Sequence, residues 1–181
     1  MSMVCNLTRG RAEFAAVEDQ VKALVAESEA ARAKLEQLLQ DDTVAYNGVT
    51  AAHKMPQDSA EQQAARSAAV QAGLVGAANV PLAICRVAVE VCRLAKTAAE
   101  IGNPRAVTDA GIAAALGEAA VVGASLNVKI NLGAVEDPAY VQAVAAEVDE
   151  ILAAAAALRI EVLAITAARL QILAAARGEK S

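Results

Sequence analysis

The apolar residues of this chain are almost all small. Hydrophobic side chains fill 56% of the 181 positions but aromatic rings only 2%, with one Phe, two Tyr and no Trp. Alanine carries little apolar area, so an alanine-faced protein holds together through close approach and length rather than bulk, at about 0.8 kcal/mol per buried methylene. Ten Gly and four Pro fall below the roughly 12% of average usage, which argues against a loop-rich, collagenous or disordered chain. Neither a sheet pattern nor a repeat is visible, and the length suits one domain over residues 1–181 that buries roughly 70% of its unfolded surface.

Breakers divide the chain into helices. From Ala12 to His53 the residues Phe14, Val17, Val21, Leu24, Ala31, Leu35, Leu38 and Leu39 recur at three- and four-residue steps, predicting one long amphipathic helix, kinked near Gly48 and ending at Lys54-Met55 before Pro56. Asp58 with Glu61 reads as a capping box opening a second helix, Ser59 to Ala78. Pro81 suits the first position of a third helix, which Gly102 stops in a left-handed conformation. Thr108 or Asp109 caps a fourth helix through Leu132, and Asp137-Pro138 starts a last helix of about 40 residues, roughly 60 Å long. The expected fold is all-α, an elongated antiparallel helical bundle. The last helix is apolar over more of its circumference than its own chain can cover, so a homodimer is expected.

Charge and ligand chemistry exclude several functions. Sixteen basic against 21 acidic residues give a net charge of −5, which disfavours nucleic acid and membrane surfaces as partners. Cys5, Cys85, Cys92 and His53 show no metal-ligand spacing, so no metal is expected. The sparse cysteines suit a reducing compartment, with Cys85 and Cys92 sharing a core face. No targeting segment is evident, the longest apolar runs are interrupted by charges, and a cytoplasmic location is expected.

Several polar residues sit where a bundle would prefer Ala or Leu. Asn127 and Asn131, four apart, share a helix face and form either a structural clamp or a pair that reads a ligand. Asp42 and Tyr46 also share a face, with Asp41 beside them, as a solvated helix end or as a site. Arg66 and Arg86 in alanine-lined helices either reach to water or meet a substrate carboxylate. His53 is a solvated helix end or a general base.

Five pieces in order, MVCNLTRGR, DDTVAYNGVTAAHKMP, AARSAAVQAGLVGAANVPLAICR, GNPRAVTDAGIAAA and ASLNVKINL, resemble the formiminotetrahydrofolate cyclodeaminase and methenyltetrahydrofolate cyclohydrolase family over roughly the first three quarters of the chain. The resemblance implies an all-helical homodimer that handles the one-carbon unit of a tetrahydrofolate substrate without a metal or cofactor. In the cyclohydrolase reaction water attacks the cationic methenyl carbon and the adduct opens to 10-formyltetrahydrofolate. The cyclodeaminase closes a formimino group onto the second nitrogen and expels ammonia. Both need one group to take a proton and another to deliver one. The free-standing chain favours the cyclohydrolase; a non-catalytic helical protein that binds folate or a partner helix is the competing class.

By the same resemblance Asp42 and Arg11 are the catalytic candidates. Asn6, Asp109, Asn127 and Asn131 are substrate-binding candidates, with Asp109 alternatively a helix cap, and Arg66 or Arg86 pairs with the glutamate tail. Arg11 stands where the family carries lysine; it keeps the charge but cannot shuttle a proton. The family's usual Pro-Thr-Pro-Gly-Gly-Gly-like loop and alanine-rich first helix would precede Met1, so the chain is expected to be short of that helix.

Overall fold

The computed structural model describes residues 2–178, which form five α-helices: α1 (Ser2–Asn6), α2 (Glu18–His53), α3 (Ala60–Ile101), α4 (Val107–Leu132) and α5 (Pro138–Gly178). Short 3₁₀ turns at Ala12–Val17 and Pro104–Ala106 lead into α2 and α4. No strand occurs among the described residues.

Helix α3 is the spine, packed against α2, α4 and α5. It runs antiparallel to α2, as the approach of Gly73 to Val49 and of Arg66 to His53 shows. It is antiparallel to α4 as well, where Cys85 and Cys92 donate to the carbonyls of Val121 and Ala114. Helix α5 returns parallel to α3, through the pairs Arg86–Glu147 and Lys96–Glu161. The architecture is the antiparallel bundle that the helix pattern predicts.

The element boundaries differ in several places, each for a physical reason. The long first helix starts as a 3₁₀ turn and becomes α-helical at Glu18, where Glu18 and Asp19 place carboxylates on the first turn and favour the helix dipole. Gly48 marks no break, since α2 runs through it to His53. The capping box is Ser59 with Gln62, not Asp58 with Glu61. Ser59 Oγ accepts from the Gln62 amide at 3.2 Å, and Gln62 Oε1 accepts from the amides of Ser59 at 3.2 Å and Asp58 at 2.8 Å.

The expected second and third helices are one, with Pro81 inside α3. Gly102 is extended, at φ −75° and ψ 171°, rather than left-handed. Glycine is needed there for room: a Cβ would meet the Ala98 carbonyl at 2.5 Å and Val4 Cγ1 at 2.7 Å. Neither Thr108 nor Asp109 caps α4. Asn103 caps the preceding 3₁₀ turn, its Oδ1 accepting from the Arg105 amide at 3.0 Å, and both candidates lie inside the first turn of α4. Asp137 does open the last helix, accepting from the amides of Ala139 at 2.9 Å and Tyr140 at 3.2 Å.

Two apolar clusters fill the bundle. One gathers Val4, Cys5, Val21, Leu24, Leu94, Ala98, Val107 and Val162 around the C-terminal end of α3. The other gathers Leu82, Cys85, Val89, Val121, Val128, Val148 and Ile151 around its middle. The cysteines are core residues, all three buried with free thiols, and burial pushes the Cys85 thiol up to about 11.

Three helical stretches, within Ala60–Ile101, Pro104–Leu132 and Pro138–Ala176, are long and apolar enough to cross a membrane by length and composition. This corrects the expectation that no segment suits a membrane: residues 67–85 of α3 carry no charge, and the charges that do interrupt the apolar runs of α4 and α5 number at most two in each window. The same windows are 39%, 39% and 22% buried within this chain. Much of the remainder is outward-facing: Ile112, Leu116, Leu126 and Ile130 on α4 are 56%, 65%, 63% and 76% exposed.

Between the two clusters α4 packs tightly on α3 at Gly117, where a Cβ would meet Cys92 Sγ at 2.6 Å and the Ala88 carbonyl at 3.2 Å. Gly117→Ala is therefore expected to cost about 1–3 kcal/mol through overpacking, measured by urea unfolding. Adding Cys92→Ala, which removes the sulfur, should recover part of that loss.

Candidate functional site

The site begins with a proline in the wrong place. Pro81 in mid-helix has no amide hydrogen to give the carbonyl four residues earlier, that of Ala77. The Asn131 side chain supplies the donor instead, its Nδ2 reaching the Ala77 oxygen at 2.8 Å from α4. One turn earlier on the same face, Asn127 is exposed. The two amides thus divide the readings open to them: Asn131 is a clamp, and Asn127 is presented to solvent.

Helix α2 closes the opposite wall. Gly73 admits α2 to α3, since a Cβ on it would lie 3.2 Å from Val49 Cγ2 and 3.4 Å from its Cα. This contact brings the C-terminal part of α2 beside the Asn face. A cleft of about 300 Å³ results, lined by Asp42, Tyr46, Val49, Ala77, Asn127, Ile130 and Asn131. Asp42 and Tyr46 are both exposed at its wall, whereas neighbouring Asp41 is taken by Gln37 Nε2 at 2.9 Å. Elsewhere on α3 the Tyr140 hydroxyl of α5 donates to Asn79 Oδ1 at 3.0 Å, and Gln71 bridges to Ala134 and Glu136 at the α4–α5 turn.

The fold therefore unites Asp42, Asn127 and Asn131, together with Tyr46. It does not bring Arg11 to them. Arg11 lines a separate cleft of about 410 Å³ with Glu13, Phe14, Asn103, Pro104, Arg105 and Leu173, at the N-terminal end of α4. Asp109 lies half-buried at that end. Asp109 and Asn127 are thus separated by 18 residues of helix, roughly 27 Å. Asn6 ends α1, exposed, at the same end.

Sequence reasoning missed what organises this second end. Buried Thr8 donates to the Val4 carbonyl at 2.7 Å and accepts from the Asn103 amide at 2.8 Å, while Asn103 Nδ2 donates to the Leu7 carbonyl at 3.1 Å. The Asn-Leu-Thr piece and the Gly-Asn loop are thereby locked together, and Gly10 turns the chain away at φ 74°, a left-handed conformation that favours glycine. Thr8 lies among Asn6, Arg9 and Arg11, so nothing in its local sequence signalled its burial.

Arg66 and Arg86 are both occupied. Arg86 forms a two-pronged pair with Glu147, Nε to Oε1 at 2.6 Å and its second nitrogen to Oε2 at 2.8 Å, which holds the Glu147 carboxyl below its usual range. Arg66 donates to the His53 carbonyl at 3.2 Å and so caps α2. Among the described residues no three His, Cys, Asp or Glu side chains gather as a metal site would require.

A family model described as formiminotransferase-cyclodeaminase matches residues 1–150. The chain is 39% identical over 158 residues to a methenyltetrahydrofolate cyclohydrolase of Methylorubrum extorquens, a match covering 87% of this chain and 76% of that protein. It is 34% identical over 151 residues to the formimidoyltransferase-cyclodeaminase of Sus scrofa, covering 83% of this chain but 28% of that longer protein. The fold is similar to the crystal structure of formiminotetrahydrofolate cyclodeaminase from Thermotoga maritima, with a TM-score of 0.82 at 28% identity, covering 93% of this chain and 80% of that one.

The clamp at the proline can be tested by coupling. Asn131→Leu leaves the Ala77 carbonyl without its donor and is expected to destabilise by about 1–3 kcal/mol in denaturant titration. Pro81→Ala in the same chain restores a backbone donor to that carbonyl, so the double variant should lose less than Asn131→Leu alone.

Proposed function

This chain belongs to the formiminotransferase-cyclodeaminase family, and on that premise we propose that it is a tetrahydrofolate one-carbon enzyme which hydrolyses 5,10-methenyltetrahydrofolate to 10-formyltetrahydrofolate. The observation that carries this reading is the single cleft in which α2 contributes Asp42 and α4 contributes Asn127 and Asn131. A cationic methenyl carbon held beside the Asp42 carboxylate is stabilised by it, and the same carboxylate accepts the proton of the attacking water. The reacting carbon is itself the electrophile, so the chemistry asks for charge, position and proton transfer rather than a metal.

Asn127 supplies both a donor and an acceptor for the edge of a pterin ring. Asn131, held by the Ala77 carbonyl, fixes the helix turn from which Asn127 projects. Arg11 and Asp109 stand at the far end of α4 and take no part in this cleft within one chain. The similarity to a methenyltetrahydrofolate cyclohydrolase along most of both chains favours hydrolysis. The likeness to a formiminotetrahydrofolate cyclodeaminase structure supports the second reading, ring closure with release of ammonia in the same cleft. We further propose that the working unit is a homodimer.

Loss of the methenyl absorbance against release of ammonia from formiminotetrahydrofolate separates the two reactions. On the preferred reading the first is fast and the second absent. Asp42→Asn keeps the shape and removes the charge, and it should lower turnover by about 100-fold or more. Unchanged turnover would remove Asp42 from the mechanism.

A further inference from the structure

Asp42 accounts for only one of the two proton transfers that hydrolysis and ring closure share. A second group has to deliver a proton. Arg11 lines a different cleft, so the donor is sought in the lining of the Asp42 cleft itself. Three of its lining side chains are aliphatic and two are amides, and neither class gives up a proton near neutral pH. What remains beside Asp42 is the phenol of Tyr46.

Tyr46 is placed for the task. It follows Asp42 by four residues on α2, so the two project from one face of the helix, about 6 Å apart along its axis. The chain's other tyrosine serves the fold: the Tyr140 ring packs against the second apolar cluster and its hydroxyl donates to Asn79 Oδ1 at 3.0 Å. Tyr46 is instead 71% exposed, on the wall of the cleft. Charged neighbours are engaged elsewhere. Asp41 accepts from Gln37 Nε2 at 2.9 Å, and Lys129 Nζ lies 3.8 Å from Asp149.

We propose that the Tyr46 hydroxyl donates the proton to the leaving nitrogen while Asp42 accepts one from the attacking group; the assignment rests on the folate reading of this cleft. In hydrolysis the water oxygen bonds to the methenyl carbon as Asp42 takes one of its protons. The bond from that carbon to N5 then breaks, its electron pair stays on N5, and the Tyr46 proton joins it. The hydroxyl proton of the adduct passes to the phenolate, which leaves a formyl group on N10 and restores Tyr46. Asp42 returns its proton to solvent.

Ring closure uses the same pair. N10 gives its proton to Asp42 and bonds to the carbon of the protonated formimino group. The amino group departs with its electron pair and the Tyr46 proton as ammonia, and Asp42 hands its proton back to the phenolate. Nitrogen is the leaving atom in both reactions. A phenol suits it, because it keeps its proton at neutral pH and gives it up to a basic amine.

Tyr46→Phe keeps the ring and removes the hydroxyl at an exposed position, so its midpoint in urea should match that of wild type. In whichever of the two reactions wild type performs, kcat should fall about 100-fold with KM little changed. Loss of the donor also opens the step to acids from solution. At fixed pH, after subtraction of the enzyme-free rate, the residual turnover of Tyr46→Phe should rise with imidazolium concentration, whereas that of wild type should not. A fallen kcat that ignores the buffer makes Tyr46 a positioning residue and overturns the proposal. An active wild type with an equally active Tyr46→Phe chain defeats the assignment alone. A wild type that turns over neither folate substrate defeats the folate reading and the assignment with it.

Discussion

The hydrogen bond from Asn131 to the Ala77 carbonyl is where this bundle joins its scaffold to its chemistry. A proline within a 42-residue helix leaves one carbonyl without a helical donor, and a buried or half-buried carbonyl in that state costs free energy. Satisfying it from α4 sets the register of α4 on α3 and fixes which face of the Asn turn looks outward. The defect and its repair therefore put Asn127 at the cleft. Without the proline the same carbonyl would be closed within α3, and Asn131 would have no reason to lean that way.

Small residues set the spacing of everything else. At Gly117 the backbone of α4 passes the sulfur of Cys92 with no room for a methyl group, and at Gly111 a Cβ would come within 3.1 Å of Thr166 Oγ1 on α5. Helices that approach so closely exchange side-chain area for contact between backbones, which is how a chain with almost no rings fills its interior. Polar atoms in these narrow gaps turn back to their own helices. Ser28 and Thr166 donate to the carbonyls of Leu24 and Val162, each at four residues' remove.

What could be read from the sequence was what is local. Asp137 before Pro138 determines a helix start by contacts within three residues, and it behaves as its chemistry dictates. Pro81 misleads because the group that makes it tolerable lies 50 positions away on another helix. Gly102 misleads because glycine answers two different needs, a left-handed turn or a missing side chain, and only the neighbours Ala98 and Val4 tell them apart. The i, i+4 spacing of Asn127 and Asn131 announced a shared face but not the division of labour along it. Asp42 could be joined to them only through the approach of α2 at Gly73, a contact between helices that no periodicity records. Arg66 and Arg86 stood open to water or a substrate carboxylate in their alanine-lined surroundings, but His53, 13 positions back across the α2–α3 turn, and Glu147, 61 positions on, already occupy them.

The latch between Thr8 and Asn103 joins residues 95 positions apart. Closing so long a loop costs chain entropy that local contacts cannot offset until the turn between α3 and α4 has formed. The hairpin of those two helices needs only its own short connection. The α1 segment is accordingly among the last to find its place, and the Arg11 cleft, built on that docked segment, exists only once α3 and α4 have paired.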